Sequence, residues 1–275
     1  MTTTIAPQPP AWSDPPPTPR APKPRNRVIG AMGVAFSLLV VLWGCGTIVD
    51  LMGHTTSTIH RTLPAVSHVH LDLGGTGPVT IVAEPRNDTT IVRKVSQGLR
   101  ETRVRETVTG GTLTLSSRCP RIMGTICNAS YEVHVPSGVT VDGSSNGGAI
   151  TLRGATDVHV LSDGGRIVLD RVTGPIYART DGGRILGEGL RSSTVDVKTD
   201  GGRIDLGFLT APEGVSARTG GGGIDIQLPP DAPSYRVDAH SDGGGVDVQI
   251  ANDPRETRTI TAHTGGGHVV LRYAS

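Results

Sequence analysis

The chain has 275 residues, enough for one large domain or two small ones, and a formal net charge of +1. This nearly neutral charge gives no electrostatic indication of a nucleic-acid partner. Glycine is abundant, at 38 residues, whereas aromatic residues make up only 3% of the chain. A core without aromatic side chains must be filled by Ile, Val, Leu, Ala and Thr, which suits a narrow stack of β-strands.

Residues 1–27 form a proline-rich segment with almost no large apolar side chains. Four basic residues and one acidic residue give this segment a charge of 4 − 1 = +3. Such a composition cannot bury enough apolar surface to offset the entropy cost of ordering the chain. We therefore predict a disordered tail.

The next 22 residues, Val28 to Val49, carry no charge. Because about 20 apolar residues are needed to cross a bilayer, we predict a single transmembrane helix. The basic residues precede it, so the positive-inside rule places the N-terminus in the cytoplasm and everything after Asp50 outside. A cleaved signal peptide and a lipoprotein signal at Cys45 are the alternatives. In the anchored interpretation, Cys45 is a small packed side chain within the membrane.

A polar stalk is predicted at residues 50–61, followed by one extracytoplasmic β-repeat domain at residues 62–275. Alternation begins where Val69, Leu71 and Leu73 interleave with polar residues. Gly, Pro and Asn turn signals separate further strand patterns at 79–83, 88–95, 103–109, 112–116 and 131–135. We predict no helix outside the membrane.

Two cysteines, Cys119 and Cys127, frame an irregular insert at residues 120–126. Thiols on the extracytoplasmic side of a membrane are able to oxidise, so we predict a disulfide between them. A metal site would need further ligands, and the sequence places none nearby.

A phrase of the type Asp-Gly-Gly-Arg-Ile recurs seven times in the second half of the chain. The copies start at residues 146, 163, 181, 200, 220, 242 and 265, so the spacing grows from 17 through 18, 19, 20 and 22 to 23. A period in this range is typical of a β-solenoid, in which each repeat is one coil that rests on the previous coil. The predicted fold class is therefore all-β, a solenoid behind one transmembrane helix.

The columns of this repeat predict which side chains face inward. The fifth residue of every copy is Ile or Val, and the seventh is Leu, Ile or Val in all copies except the one with Gly187. Polar residues alternate with them, as expected for strands with one buried face. The glycine pair is expected to permit a turn with positive φ. Each Ile then stacks on the next at about 4.8 Å.

These features resemble the bacterial "putative adhesin" β-strand-repeat family of membrane-anchored envelope proteins. The resemblance rests on the N-terminal anchor, the Cys pair, the step Tyr131-Glu132-Val133-His134-Val135-Pro136-Ser137-Gly138 and the Gly-Ile columns, and it covers roughly residues 62–275. It implies a cell-envelope location and supplies no catalytic residue or cofactor. Fold alone does not supply function.

Asp205, Asp225 and Asp247 form an outward column in consecutive copies of the phrase. Asp205 has Arg203 two residues earlier, whereas the other two have glycine at that place and lack this local partner. We interpret the column as a solvated polar face. The alternatives are a cation or sugar-hydroxyl site at Asp225 and Asp247, or a carboxylate pair that cleaves polysaccharide.

His240 and His263 share one column, and His268 lies across the last turn. Histidines on adjacent coils are able to share a transition metal. We interpret these three as exposed polar residues, with a metal site as the alternative, and we predict no metal or other cofactor for the protein.

The sequence favours a non-catalytic binding or scaffolding module exposed in the cell envelope. The expected partners are the membrane through Val28–Val49 and an envelope protein or glycan, without nucleic acid. A sensor ectodomain and a carbohydrate-active enzyme are the alternatives. The strand His268–Tyr273 is expected to be the open end of the stack, so we also predict self-association or strand addition at this C-terminal edge.

Overall fold

The computed structural model describes residues 36–37, 40, 55–75, 77–97, 103–118 and 127–274. The chain divides into two compact units, Met1–Ile48 and Val49–Ser275. The predicted tail lies outside the described residues, as does nearly all of the predicted transmembrane helix. No helix in the described part of the chain is long and apolar enough to cross a membrane. The following description concerns the second unit.

The described residues of this unit are all-β, as the alternating sequence pattern predicts. Its described strands form one sheet of 11 strands, called sheet A, and one of 10 strands, called sheet B. The strands are β1 (Thr55–Pro64), β2 (His68–Leu73), β3 (Val79–Glu84), β4 (Asp88–Gln97), β5 (Arg103–Thr109), β6 (Thr112–Arg118), β7 (Cys127–Pro136), β8 (Thr140–Ser145), β9 (Ile150–Arg153), β10 (Asp157–Ser162), β11 (Ile167–Asp170), β12 (Ile176–Thr180), β13 (Ile185–Leu190), β14 (Thr194–Thr199), β15 (Ile204–Phe208), β16 (Gly214–Thr219), β17 (Ile224–Leu228), β18 (Arg236–Ser241), β19 (Val246–Val248), β20 (Thr259–Thr264) and β21 (Val269–Tyr273).

From β8 onward, consecutive strands alternate between the two sheets, so that one repeat contributes one strand to each. Sheet A has the order β1-β4-β7-β3-β9-β11-β13-β15-β17-β21-β19, and sheet B has the order β18-β20-β16-β14-β12-β10-β8-β2-β6-β5. Neighbouring repeats pair in parallel and in register, with Ile167 opposite both Ile150 and Ile185. The predicted apolar columns are therefore lines of directly paired residues, and they are buried except at Val246 and Val248.

A buried line of hydroxyl groups accompanies the apolar columns. The Thr199 hydroxyl donates to the Gly183 carbonyl at 2.9 Å and accepts from the Gly202 N–H at 3.0 Å. The Thr180 hydroxyl makes the same two bonds one repeat earlier, to the Gly165 carbonyl and from the Gly183 N–H. Each hydroxyl thus satisfies a turn amide of its own repeat and a turn carbonyl of the neighbouring repeat, at buried positions where unpaired polar groups are costly.

The turn glycines are required for a different reason from the predicted one. In the described residues no turn glycine of the repeat has a positive φ, so the predicted turn with positive φ is wrong. Instead, a Cβ on Gly183 would lie 2.0 Å from the Gly165 carbonyl oxygen, and one on Gly202 would lie 1.9 Å from the Gly183 oxygen. Close approach of backbone to backbone therefore requires the second glycine of each turn.

The last two repeats do not follow chain order. β20 lies between β16 and β18, and β21 lies between β17 and β19. The prediction that every coil rests on the previous one is therefore wrong here, and the strand His268–Tyr273 is not at the end of the stack. The connections that skip a strand position are seven residues (229–235) and ten residues (249–258) long. The longer spacing of the last sequence repeats supplies this extra chain.

The inserted strand β21 also keeps two aspartates of the column apart. Stacking in chain order would set Asp247 directly opposite Asp225, and like charges in that position destabilise a sheet. In the structure Val270 lies opposite both aspartates and separates them. Arg272 of the same inserted strand reaches the Asp225 carboxylate at 3.0 Å.

The first repeat is also out of chain order, because β2 and β3 lie between β6–β7 and β8–β9. Beyond β6 and β7 the stack ends in antiparallel strands, with β5 on β6, β4 on β7 and β1 on β4. β1 begins at Thr55, inside the segment assigned from the sequence to a polar stalk. Its polar side chains gave no apolar alternation, and its strand conformation depends on pairing with β4.

Candidate functional site

The predicted aspartate column lies on the outer face of sheet A, where arginines neutralise two of its three carboxylates. Arg184 contacts Asp205 at 2.7 Å, and Arg203 contacts both Asp205 and Asp225. Arg272 completes the series on the other side of Asp225. Asp225 lacks the local arginine that precedes Asp205, but it receives its arginine partners from the two neighbouring strands. A carboxylate held by two guanidinium groups is a poor ligand for a cation and a poor general acid or base.

Asp247 lies apart from this series of ion pairs. It is on β19, two strands from Asp225, and its carboxylate accepts a hydrogen bond from Gln249 Nε2 at 2.7 Å. The structure therefore does not bring Asp225 and Asp247 together as one site. In the described part of the chain, no group of three or more His, Cys, Asp or Glu side chains is arranged to hold a metal ion.

The structure brings His240 and His263 side by side, with ring centroids 6.2 Å apart. Each ring contacts its own carboxylate, since His240 lies 2.9 Å from Asp242 and His263 lies 3.0 Å from Asp238. These contacts are those of a partly exposed network of polar side chains. His268 is exposed on the turn before β21.

The predicted disulfide concerns residues that the structure does not describe. Cys119 lies outside the described residues, and of Cys127 only the backbone, at the start of β7, is described. Cys45 also lies outside them. The bridge stays a prediction from the sequence.

The sheet register assembles a surface on sheet B that sequence reasoning missed. Six outward side chains from six neighbouring strands lie directly opposite one another in a continuous line, which we call the polar row: His70, Asp142, His159, Tyr177, Asp196 and Ser216. At about 4.8 Å per strand, the row is about 24 Å long. It runs across the strands, along the direction in which the repeats stack.

Asp142 organises one end of the row. Its Oδ2 is 2.8 Å from His70 Nδ1, and its Oδ1 is 2.6 Å from His68 Nε2. The second nitrogen of His68 is hydrogen-bonded to Thr140 Oγ1 at 2.6 Å. These contacts fix the orientation of both imidazole rings. An adjacent cleft of about 270 Å³ is lined by His70, Asp72, Asp142, Ser144, His159 and Leu161.

Aromatic contacts form the middle of the row. The rings of His159 and Tyr177 are 4.5 Å apart at 69°, in an edge-to-face arrangement. The Arg179 guanidinium carbon lies 4.5 Å from the centre of the Tyr177 ring, within the range of a cation–π contact. Arg179 also approaches Asp196 at 3.9 Å, which connects the aromatic contacts to the next carboxylate. The partly exposed ring is therefore held in one orientation beside polar groups.

This surface offers hydrogen-bond donors and acceptors, one fixed aromatic ring and the exposed side chain of Leu161. Such a combination of polar and apolar side chains suits a ligand that carries many polar groups and some apolar surface. The sequence carries a usable signal, since every member stands at an outward position of its strand. However, the line is complete only when β2 pairs with β8. The sequence does not indicate this pairing, because 66 residues lie between the end of β2 and the start of β8.

No family model matches the chain, and no curated protein matches it. Several solved structures do resemble it. A "putative cell adhesion protein" from Clostridium sporogenes has a TM-score of 0.35 and 9% identity, over 79% of this chain and 100% of its own. A "putative adhesin" from Parabacteroides distasonis has a TM-score of 0.48 and 12% identity, over 80% and 97%.

A further "putative adhesin", from Bacteroides fragilis, has a TM-score of 0.40 and 14% identity over the same shares of the two chains. Structures of this description are thus among those that resemble the chain, as the resemblance drawn from the sequence predicts. At these identities and TM-scores, the likeness says nothing about a ligand or an activity of this chain.

Proposed function

We propose that this protein is a non-catalytic binding or scaffolding module of the bacterial cell envelope. Its β-domain is a β-solenoid, and the outer face of sheet B is its ligand-binding surface. The observation that carries the proposal is the polar row, in which six strands present one line of imidazole, carboxylate, phenol and hydroxyl groups. A linear surface about 24 Å long suits an extended polar polymer such as an envelope glycan.

The chemistry of this surface favours binding over catalysis. A hydrolytic carboxylate pair needs one proton donor and one base that are free to act on the substrate. Asp142 is instead held between His68 and His70, and Asp205 and Asp225 are held by arginines. Groups that are fixed by their neighbours can still form hydrogen bonds to the hydroxyl groups of a sugar chain. The proposal therefore includes no catalytic residue.

A binding experiment tests this role. The full chain in detergent would be titrated with purified envelope polysaccharides, and binding would be followed by calorimetry. We expect Tyr177→Ala combined with Asp142→Asn to weaken binding at least tenfold. The control Arg166→Ala removes an exposed side chain from the turn before β11 and should leave binding unchanged. Equal affinities of the wild type and the double variant would refute the assignment of the surface.

The membrane topology is a separate part of the proposal. Val28–Val49 forms the single anchor, the N-terminus lies in the cytoplasm, and the β-domain lies outside. External protease on intact cells, after removal of any wall, should remove a C-terminal tag. A tag that stays protected while the membrane is sealed would contradict this orientation.

The disulfide Cys119–Cys127 belongs to the same proposal, because it requires an oxidising compartment. Peptide mapping without reductant should find the two cysteines linked in protein purified from the envelope. Free thiols at both positions would exclude the bridge without affecting the proposed binding surface.

A further inference from the structure

A second cleft on sheet B adjoins the polar row. Its volume is about 920 Å³. The polar and charged side chains that line it are Asp72, Arg103, Arg105, Thr107, Ser116 and Arg118. Asp72 also lines the smaller cleft beside Asp142, so the two clefts meet at this side chain. The larger cleft lies on β2, β6 and β5, where the described strand order of sheet B ends.

The larger cleft concentrates positive charge. Arg103 and Arg105 occupy exposed, outward positions of β5, and Arg118 is exposed at the end of β6. The sheet register sets Arg103 directly opposite Arg118, and Arg105 directly opposite Ser116. Like charges at directly paired positions destabilise a sheet unless another charge compensates them. The arrangement therefore calls for negative charge in the cleft.

The described carboxylates compensate only part of this charge. Asp72 lies 3.7 Å from the guanidinium group of Arg118. Glu106, also on β5, faces the interior, where its carboxylate is bound to arginines of β1 and β4. Neither Arg103 nor Arg105 has a side-chain hydrogen bond or an ion pair with any residue that the structure describes. Two exposed guanidinium groups are thus available to a ligand.

The polar row leads into this cleft. Thr114 of β6 lies directly opposite His70, and Thr107 of β5 lies directly opposite Thr114. Both threonines are outward residues, so they continue the line of the row by two strands, to a length of about 34 Å. Arg105 stands two residues from Thr107 on the same face of β5. An extended ligand that follows the row therefore passes beside the arginines.

We propose that this cleft, which we call the arginine cleft, binds an acidic group of the ligand, and that the ligand is an anionic polymer rich in hydroxyl groups. The inference rests on the proposed function, because the polar row holds the rest of the polymer. A guanidinium group donates two parallel hydrogen bonds to a carboxylate or a phosphate. A bound anion also compensates the repulsion between Arg103 and Arg118. The acidic group is thus recognised at one end of the surface and the hydroxyl groups along the remainder.

Calorimetry with three probe polymers tests the requirement for negative charge. The full chain in a non-ionic detergent would be titrated with polygalacturonate, which carries carboxylates, with poly(glycerol phosphate), which carries phosphates, and with neutral dextran. At least one acidic polymer should bind at least tenfold more tightly than dextran, and added salt should reduce this preference. The acidic polymer that binds more tightly identifies the recognised group. A wild type without preference for either acidic polymer would overturn the proposal.

Removal of the two free guanidinium groups tests their role. The arginine variant, Arg103→Gln with Arg105→Gln, should bind the preferred acidic polymer at least tenfold more weakly than the wild type. The control Arg166→Gln with Arg191→Gln removes the same charge at exposed positions outside the strands and should keep the wild-type affinity. The acidic polymer should raise the melting temperature of the wild type by binding the folded state, and should not raise that of the arginine variant. Melting curves without polymer show that each variant is folded.

The variant Tyr177→Ala separates this inference from the proposed function, because it alters the polar row without a change of charge. Weaker binding by Tyr177→Ala alone would overturn the arginine cleft and leave the polar row in place. Weaker binding by the arginine variant alone would leave the cleft as an anion site and overturn the role of the polar row. Equal losses in the arginine variant and its control would show a general attraction of charge, which would also overturn the arginine cleft.

Discussion

The two ends of the β-domain terminate in different ways. At one end, antiparallel strands β5, β4 and β1 cover the last parallel strands β6 and β7. At the other end, β18 and β19 are themselves the last described strands, and their inward side chains are partly exposed. A stack of parallel repeats does not provide its own termination, because each repeat offers the next one the same unpaired edge.

The covered end tolerates an inward-facing charge because the covering strands neutralise it. The side chain of Glu106 on β5 is only 1% exposed and contacts Arg93 on β4 at 2.8 Å and Arg61 on β1 at 3.2 Å. These arginines come from strands that do not belong to the repeat. The open end has no such covering strand in the described part of the chain, and its polar groups face outward instead. The covered end is therefore closed by separate strands. At the open end the connection after β19 borders the start of β18 instead, where the Tyr235 N–H donates to the Ala251 carbonyl.

The largest effect is expected at the covered end. Glu106→Gln removes the charge that pairs with Arg93, and breaking a buried ion pair costs about 3–5 kcal/mol. The control Asp238→Asn removes an exposed carboxylate at the open end and should cost under about 0.5 kcal/mol. Denaturant unfolding of both variants measures the difference. Similar losses of stability would mean that the two ends do not differ as described.

One inward column of the repeat lies in two different environments. Ile185 is completely buried in the interior, whereas Val246 holds the equivalent position at the open end. Ile185→Ala should cost about 2–5 kcal/mol, as do buried large-to-small changes. Val246→Ala should cost under about 1 kcal/mol, because the lost methyl groups are partly in water already. A cost for Val246→Ala as large as that for Ile185→Ala, in protein shown to be monomeric, would show that another part of the chain covers this end.

The covered end should also respond to alkaline pH. Burial, and to a lesser degree the charge of Glu106, raises the pKa of the Tyr131 phenol to about 12. Because the folded-state pKa lies above the ordinary value of about 10, the contribution of the protonated phenol to stability, relative to the ionised one, is fully present below pH 10. This contribution is lost as the pH rises through 12. Thermal unfolding between pH 9 and 12 should therefore show a falling melting temperature.

Tyr131→Phe is the matched control for this pH effect. The Tyr131 hydroxyl is buried without a hydrogen-bond partner in the described structure, so its removal should not destabilise the protein near pH 7. The variant should lose the part of the alkaline destabilisation that Tyr131 causes. Identical pH profiles for the two proteins would assign that loss to other groups.

Engineered cysteine pairs test the strand order at the open end, and they should have little effect on stability. Asp225→Cys with Val270→Cys places two thiols on directly paired residues, within the 4.4–6.8 Å Cα separation that a disulfide accepts. Asp225→Cys with Asp247→Cys places them two strands apart, at about 9.6 Å, and should not cross-link. Peptide mapping after mild oxidation distinguishes the pairs. Cross-linking of the second pair alone would show that the last repeats stack in chain order.

Much of the candidate surface was not accessible to sequence reasoning. Asp142 and His159 stand at outward positions that alternation identifies, and β8 and β10 are consecutive strands of sheet B. Their neighbour His70 lies on β2, which is separated from β8 in the sequence by β3 to β7 and the insert at residues 120–126. Its place beside Asp142 therefore depends on how all of these strands pair. The partners of Asp225 were equally hidden, because Arg272 is 47 residues away.

The sequence by itself determined the local structure of the repeat. Alternation placed Ile185 and Thr199 inward, and the recurrence of the phrase predicted strands in register, because the period of a strand is local. Only the tertiary structure decided the order of the repeats and the reason for the glycines. The inward columns are chemically alike in every repeat, so any order buries them equally well. The order of the repeats depends on the lengths of the connections, and the need for glycine depends on the approach of one turn to the next. Both are properties of neighbours in space.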